Sequence, residues 1–272
     1  MKKQFLFLVT LSLFFCHFVK AQEADKTANE IIKQSKSSVL KKNLVINSFY
    51  LEYDGDYRSN AERKSKSYLG FTYKTKLWFE DSLKIKQKVL ATYPNSQQEL
   101  IERIFSKEDF SETNKVKIDE KGFTEMTFIP NGDVRKIKEE KISKLKFTAF
   151  SSIFPLLLKF DNSLKFKFVG VAKAGKQKAD VIETKLSDSY KLNLFFDRET
   201  HLLLLMTAKF YDEILKKEIE QKFFYSDFKE ESGLLFAHKI IIQENNEAIE
   251  EKLIKLITPN PEMKTDFFEV KK

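Results

Sequence analysis

Cysteine, histidine, glycine and proline are all scarce: the 272 residues hold 1 Cys, 3 His, 7 Gly and 5 Pro. One cysteine excludes a disulfide scaffold and a thiolate zinc site. So few glycines and prolines exclude collagen-like and low-complexity chains. No GxSxG elbow, P-loop or HExxH stretch occurs. No run beyond the N-terminal segment approaches the roughly 18 apolar residues of a membrane-spanning helix. What the chain does have is 42% apolar residues and 27 Phe, enough for a substantial buried core.

Residues 1–21 read as a cleavable signal peptide. Lys2 and Lys3 form the basic start, Phe5–Phe15 the apolar stretch, and Val19-Lys20-Ala21 the cleavage site. Cys16 follows the large Phe15, which argues against a lipidation site and for an ordinary residue of the apolar stretch. Residues 22–272 are expected to form one exported domain located in a periplasm. Removing Lys2, Lys3 and Lys20 leaves 45 basic against 40 acidic residues, a net charge of +5, and no cysteine. Lysines interleaved with acids, as in Lys136-Ile137-Lys138-Glu139-Glu140, read as a solvated face rather than a nucleic-acid groove.

Periodicity predicts an N-terminal helix over residues 25–42, with Ile31, Ile32, Ser35, Val39 and Leu40 on one side and a Thr27/Glu30 capping-box spacing. A strand over Leu44–Tyr53 is expected to end in an Asp54-Gly55-Asp56 turn. Residues 68–79 alternate, with Leu69, Phe71, Tyr73, Leu77 and Phe79 on one face and Lys74, Lys76 and Trp78 on the other. Trp78 is expected to pack under a helix or on the outer surface. Leu83, Ile85 and Val89 return the apolar face. Gln98–Phe105 reads as a short helix, Phe123–Ile129 as a strand, and residues 140–159 as an apolar helix interrupted by Pro155. From Leu164 to Ile257 the pattern is an antiparallel meander with a turn at Asp197–Thr200. The sum is a mainly β fold of about ten to eleven strands, an α+β chain with two or three helices. A sheet that large curls, and its apolar side must be covered.

The order Gly170-Val171, Ala179–Thr184, Tyr190–Phe196, Asp197–Leu203, Phe224–Phe228 and Gly233–Ile240 resembles the LolA-like superfamily of lipoprotein carriers and outer-membrane lipoprotein-sorting proteins. The N-terminal helix, the Lys76-Leu77-Trp78-Phe79 strand and the closing Asn260–Phe268 segment fall at the matching places. The resemblance implies an unclosed antiparallel β-barrel, apolar inside and covered by helices, that holds acyl chains. It departs at one place. Where the carriers have an Arg-Pro pair that locks the cover, this chain reads Glu80-Asp81-Ser82.

On face parity, the candidate ligand-binding residues are Leu69, Phe71, Tyr73, Leu77, Phe79, Ile85, Leu192, Leu194, Phe196, Leu204 and Met206, with Phe150 and Phe154 as a lid. The expected partners are lipoprotein acyl chains or lipid, together with membrane-associated partner proteins. No nucleic acid, cofactor, metal or catalytic residue is expected, and the chain is not expected to be an integral membrane protein. His238 reads as a rim or packed strand residue and His201 as solvent-facing. The alternatives are a non-enzymatic sensor or scaffold that binds a protein partner, and a hydrolase without a recognisable motif.

Overall fold

The computed structural model describes residues 27–40, 44–58, 70–80, 84–94, 96–106, 109–117, 124–127, 147, 151–152, 164–187, 190–212, 215–264 and 266–269. The signal-peptide expectation lies outside them.

Residues 27–39 form helix α1. Ala28, Ile31, Ile32, Ser35 and Val39 share one face, the i, i+3, i+4, i+7 spacing of a buried stripe, and all five are buried. Residues 147 and 151–152 are also helical. The rest of the predicted 140–159 helix lies outside the described residues.

Thirteen strands follow α1: β1 (Ser48–Tyr57), β2 (Phe71–Glu80), β3 (Lys84–Thr92), β4 (Gln98–Ser106), β5 (Asp109–Lys117), β6 (Thr124–Thr127), β7 (Lys167–Ala174), β8 (Gln177–Ser187), β9 (Tyr190–Asp197), β10 (Leu203–Asp212), β11 (Lys217–Glu231), β12 (Leu234–Glu244) and β13 (Glu247–Pro259). They make one antiparallel sheet in the order β6-β5-β4-β3-β2-β1-β13-β12-β11-β10-β9-β8-β7. Among the described residues the ends β6 and β7 do not pair, so the described sheet is unclosed. Among the described strands the break in sequential order is the long-range β1–β13 pair, which joins an N-terminal and a C-terminal meander. Asn260 secures that seam: its Oδ1 accepts from the Asn47 and Ser48 backbone N–H groups, and its Nδ2 donates to Val45 O at 2.7 Å.

Turn chemistry sets the C-terminal meander. Ser232-Gly233 and Asn245-Asn246 both carry positive φ at two successive residues, the conformation of tight hairpin loops that match strand twist. The predicted Asp197–Thr200 turn is present. Asp197 Oδ1 accepts from Thr200 N (2.7 Å), Thr200 Oγ1 (2.8 Å) and Glu199 N (3.1 Å). Burial pushes the Asp197 pKa up, but these hydrogen bonds outweigh it and hold the carboxyl below its ordinary value.

Three sequence expectations are corrected. Gln98–Phe105 is not a helix but lies within β4, laddered to β3 and β5 along its whole length. Asp54-Gly55-Asp56 is not a turn but strand, paired with Lys74, Tyr73 and Thr72. Among the described residues the sheet has 13 strands rather than ten or eleven. Gly55 is there because the Tyr73 ring lies across it. A Cβ at this position would stand 2.1 Å from the Tyr73 Cζ.

Candidate functional site: a covered inner wall with a polar island

The inner face of the sheet is the face against which α1 packs. Leu77 and Phe79 of β2, Ile85 of β3, Leu192, Leu194 and Phe196 of β9, and Met206 of β10 all belong to one buried cluster with Ile31, Ile32 and Val39 of α1. Seven candidate residues from four strands therefore share one wall, and none is more than 2% exposed. Phe147 joins them. Its ring stacks on Tyr190 at 4.7 Å and meets Phe210 and Phe223 at 5.6 Å. Tyr73 is half-buried on the same face. Phe71 is half-buried too, stacked on Tyr57 at 5.2 Å. Leu69, Phe150 and Phe154 lie outside the described residues.

Leu204 is corrected. A bulge between Leu203 and Leu205 shifts the register of β10 against β9. Each such shift turns the following side chains to the other face. Leu203 and Met206 point inward, while Leu204 packs on the outer face with Ala174, Ala179 and Leu205. Trp78 is on the outer face, as alternation requires. It packs against Tyr50 at 4.8 Å and against Phe267 of the closing segment at 5.3 Å.

The wall is not apolar throughout. On β13, Lys252 is buried on the inner face, its Nζ 3.3 Å from Ser151 Oγ and 3.6 Å from Glu250 Oε1. It also lies 5.5 Å from the centre of the Tyr53 ring. The Tyr73 hydroxyl donates to the same Glu250 oxygen. The Tyr225 hydroxyl donates to Ser151 O at 3.0 Å. Burial, followed by the neighbouring Glu250 charge, pushes the Tyr73 phenol well above its ordinary pKa; burial alone raises that of Tyr225. This island fastens the helical residue Ser151 to the sheet from two strands, β11 and β13.

Periodicity did not reveal Lys252. Register shifts opposite Glu52/Tyr53 and Ile242/Gln243 interrupt β13, so Ile257, Ile254 and Lys252 all face inward while Leu253 and Leu256 face out. A second polar lane crosses β3–β5, again unsignalled. Arg103 donates to Glu112 at 2.6 Å and to Gln87 at 3.1 Å, and Gln87 is laddered to Leu77 of the wall.

Two clefts flank this wall. One of about 670 Å³ lies beside the start of α1, lined by Asn29, Leu164, Lys165, Phe166, Glu183 and Lys185. Its Leu164 and Phe166 also pack on the core cluster, so the cleft abuts the inner wall. The other, about 460 Å³, is lined by Asp54, Asp56, Thr72, Lys74 and Leu253 on the outer face. Among the described residues no group of three or more His, Cys, Asp or Glu stands together as metal ligands would. No described helix is long and apolar enough to cross a membrane. His238 sits on β12 with Nε2 3.6 Å from Glu231 Oε2. His201 is half-exposed beside the Asp197 turn.

No family model matches the chain, and no curated protein matches it. Among solved structures the chain is similar to the complex of MucA and MucB from Pseudomonas aeruginosa, at 12% identity, with 92% of this chain and 61% of that one covered and a TM-score of 0.25. It is similar to a putative outer membrane lipoprotein-sorting protein domain from Vibrio parahaemolyticus, at 10% identity over 90% of this chain and 97% of that one, with a TM-score of 0.46. It is also similar to a LolA superfamily protein from Nitrosomonas europaea, at 11% identity over 88% of this chain and 96% of that one, with a TM-score of 0.49.

Proposed function

We propose that this protein is a periplasmic carrier that binds the acyl chains of a lipoprotein or lipid against the inner wall of its sheet and serves outer-membrane lipoprotein sorting. The observation behind this reading is that, among the described residues, short helical pieces, α1 and residues 147 and 151–152, rather than a second sheet, pack on an apolar wall drawn from four strands. Such a cover is separable. The large side chains that α1 buries, Ile31, Ile32 and Val39, contribute roughly 5–9 kcal/mol at about 1.5–3 kcal/mol each. An acyl chain of about 15 methylenes, at about 0.8 kcal/mol each, gains roughly 12 kcal/mol when buried. One chain thus offsets displacement of the helix, and the gain is non-directional and tolerant of chain length. The 670 Å³ cleft beside α1 supplies an entrance that borders the wall. No bond-making chemistry is assigned.

The test uses a clamp. Leu40, at the end of α1, forms an isolated antiparallel bridge with Leu234 of β12. Directly opposed antiparallel residues have Cα atoms about 4.5–5.5 Å apart, within the span of a disulfide. In the mature chain, which is expected to lack cysteine, Leu40→Cys/Leu234→Cys should form a single bridge. Oxidised protein should lose uptake of a fluorescent fatty acid, and reductant should restore it. Equal uptake by both forms would refute displacement of α1.

The alternative, a sensor or scaffold that binds a protein partner, draws on the close burial of Leu192, Leu194 and Phe196 by the chain's own side chains. Native mass spectrometry of protein taken from its own periplasm separates the two. A bound amphiphile favours the carrier. Its absence, with no uptake by the wild type, favours the scaffold.

A further inference from the structure

Residues 164–179 hold five lysines, Lys165, Lys167, Lys173, Lys176 and Lys178, and no acidic residue. They run from just before β7, the edge of the described sheet, along it and around its hairpin into β8. All five are exposed, and no ion pair is found for any of them among the described residues. The nearest acids are otherwise placed. Asp180 is paired with Arg198 at 3.3 Å, and Glu183 faces Lys167 in the ladder without closing on it. Several strand lysines elsewhere are neutralised, as Lys86 and Lys88 are by Glu102, and Lys239 by Glu251.

Between these lysines stand Val169 and Val171, 57% and 51% exposed, two of the most exposed apolar side chains among the described residues. A bulge between Phe168 and Gly170 sets Val169 outside the ladder, and Gly170 takes a φ of 146° there. The bulge and the lysines both oppose the addition of another strand to this edge. Aromatic side chains that would stack on bases are turned away, since Phe166 and Phe168 pack on the core. What remains is a ridge with unneutralised positive charge and two small apolar projections. A surface that is negatively charged, laterally fluid and apolar just beneath its headgroups is complementary to it.

We propose that the β7 edge docks on an anionic lipid bilayer, with the lysines at the headgroup phosphates and Val169 and Val171 entering the interface. The lysines also belong to the cleft beside α1: Lys165 and Lys167 line it. Docking by this edge therefore turns the mouth of that cleft toward the membrane. Surface docking needs no acyl chain on the inner wall, so it stands or falls separately from the carrier reading.

The experiment is cosedimentation of the mature protein with vesicles of phosphatidylcholine alone and with about one third phosphatidylglycerol. The anionic vesicles should bind the protein and the neutral ones should not, and binding should fall as salt rises. Each lysine near such a surface contributes about fivefold in affinity. Lys165→Gln/Lys167→Gln/Lys173→Gln should therefore weaken binding by about a hundredfold, and Val169→Ser/Val171→Ser should weaken it at unchanged charge. A control set on other exposed lysines, Lys33→Gln/Lys74→Gln/Lys264→Gln, should cost markedly less at equal net charge. Circular dichroism of each variant establishes that it is folded. The proposal is overturned by absent binding to anionic vesicles, by equal binding to neutral ones, by equal losses for the two triple variants, or by binding to an acidic polypeptide with none to vesicles.

Discussion

The buried ammonium of Lys252 offers the sharpest test of how the helical segment at Ser151 is held to the sheet. Lys252 is 4% exposed, and its charge faces Glu250 at 3.6 Å and the Ser151 hydroxyl at 3.3 Å. At an effective dielectric constant of about 20, the 3.6 Å pair is worth about 4–5 kcal/mol of Coulomb attraction, against a desolvation cost of several kcal/mol per ion. The pair as a whole is therefore close to neutral for stability. Its halves are not. Lys252→Met keeps most of the volume but strands the Glu250 carboxylate, with only the Tyr73 hydroxyl left to it. That should destabilise the fold by about 3–5 kcal/mol. Glu250→Gln added to Lys252→Met removes the stranded charge and still accepts from Tyr73, so the double variant should recover more than half of the loss. Urea unfolding at pH 7 reads both. For an m-value of about 3 kcal/mol/M, the single variant moves the midpoint down by about 1–1.7 M at unchanged slope. A Lys252→Met midpoint within about 0.2 M of wild type would show that the ammonium is hydrated in solution and that Ser151 is not docked on it. A double variant worse than the single would refute the stranded-charge argument.

Two further perturbations probe the same island. Gly55→Ala places a methyl 2.1–2.5 Å from the Tyr73 ring, which must move and take its hydroxyl away from Glu250. Overpacking of this kind should cost about 1–3 kcal/mol in urea unfolding, and a neutral result would mean the ring does not lie across Gly55. The raised phenol pKa values of Tyr73 and Tyr225 set the alkaline behaviour. Their stabilising contribution is complete below the unfolded tyrosine pKa, about 10, and is lost as pH rises towards their folded values. Tyr225→Phe should cost about 1 kcal/mol at pH 7 by freeing Ser151 O, yet flatten the fall in stability above about pH 10. An unchanged alkaline slope would place the Tyr225 hydroxyl in water.

Much of the architecture is carried by local pattern. The stripe Ile31, Ile32, Ser35 and Val39 faces inward on α1 as its spacing requires. The C-terminal meander follows its alternation and its Asn, Gly and Asp turns, because a hairpin needs only neighbouring residues to specify it. The alternation over β2 and β9 put Leu77, Phe79, Leu192, Leu194 and Phe196 on one wall. Gln98–Phe105 misled because its apolar residues fit a helical stripe as well as a strand. The pairing with β3 and β5 settled the matter, and no local window contains those partners.

Tertiary structure alone decided four things. It seated β1 beside β13, some 200 residues away, closed by Asn260. It placed Gly55 inside a strand, because only a residue without Cβ admits the Tyr73 ring from the neighbouring strand. It turned Leu204 out and Lys252 in, through bulges that reverse parity without leaving a mark in composition. It left the lysines of β7 without an ion pair among the described residues, since ion pairing depends on which side chains the neighbouring strand brings within reach. Periodicity reports which faces a segment offers; which face meets which partner depends on distant residues that close the sheet.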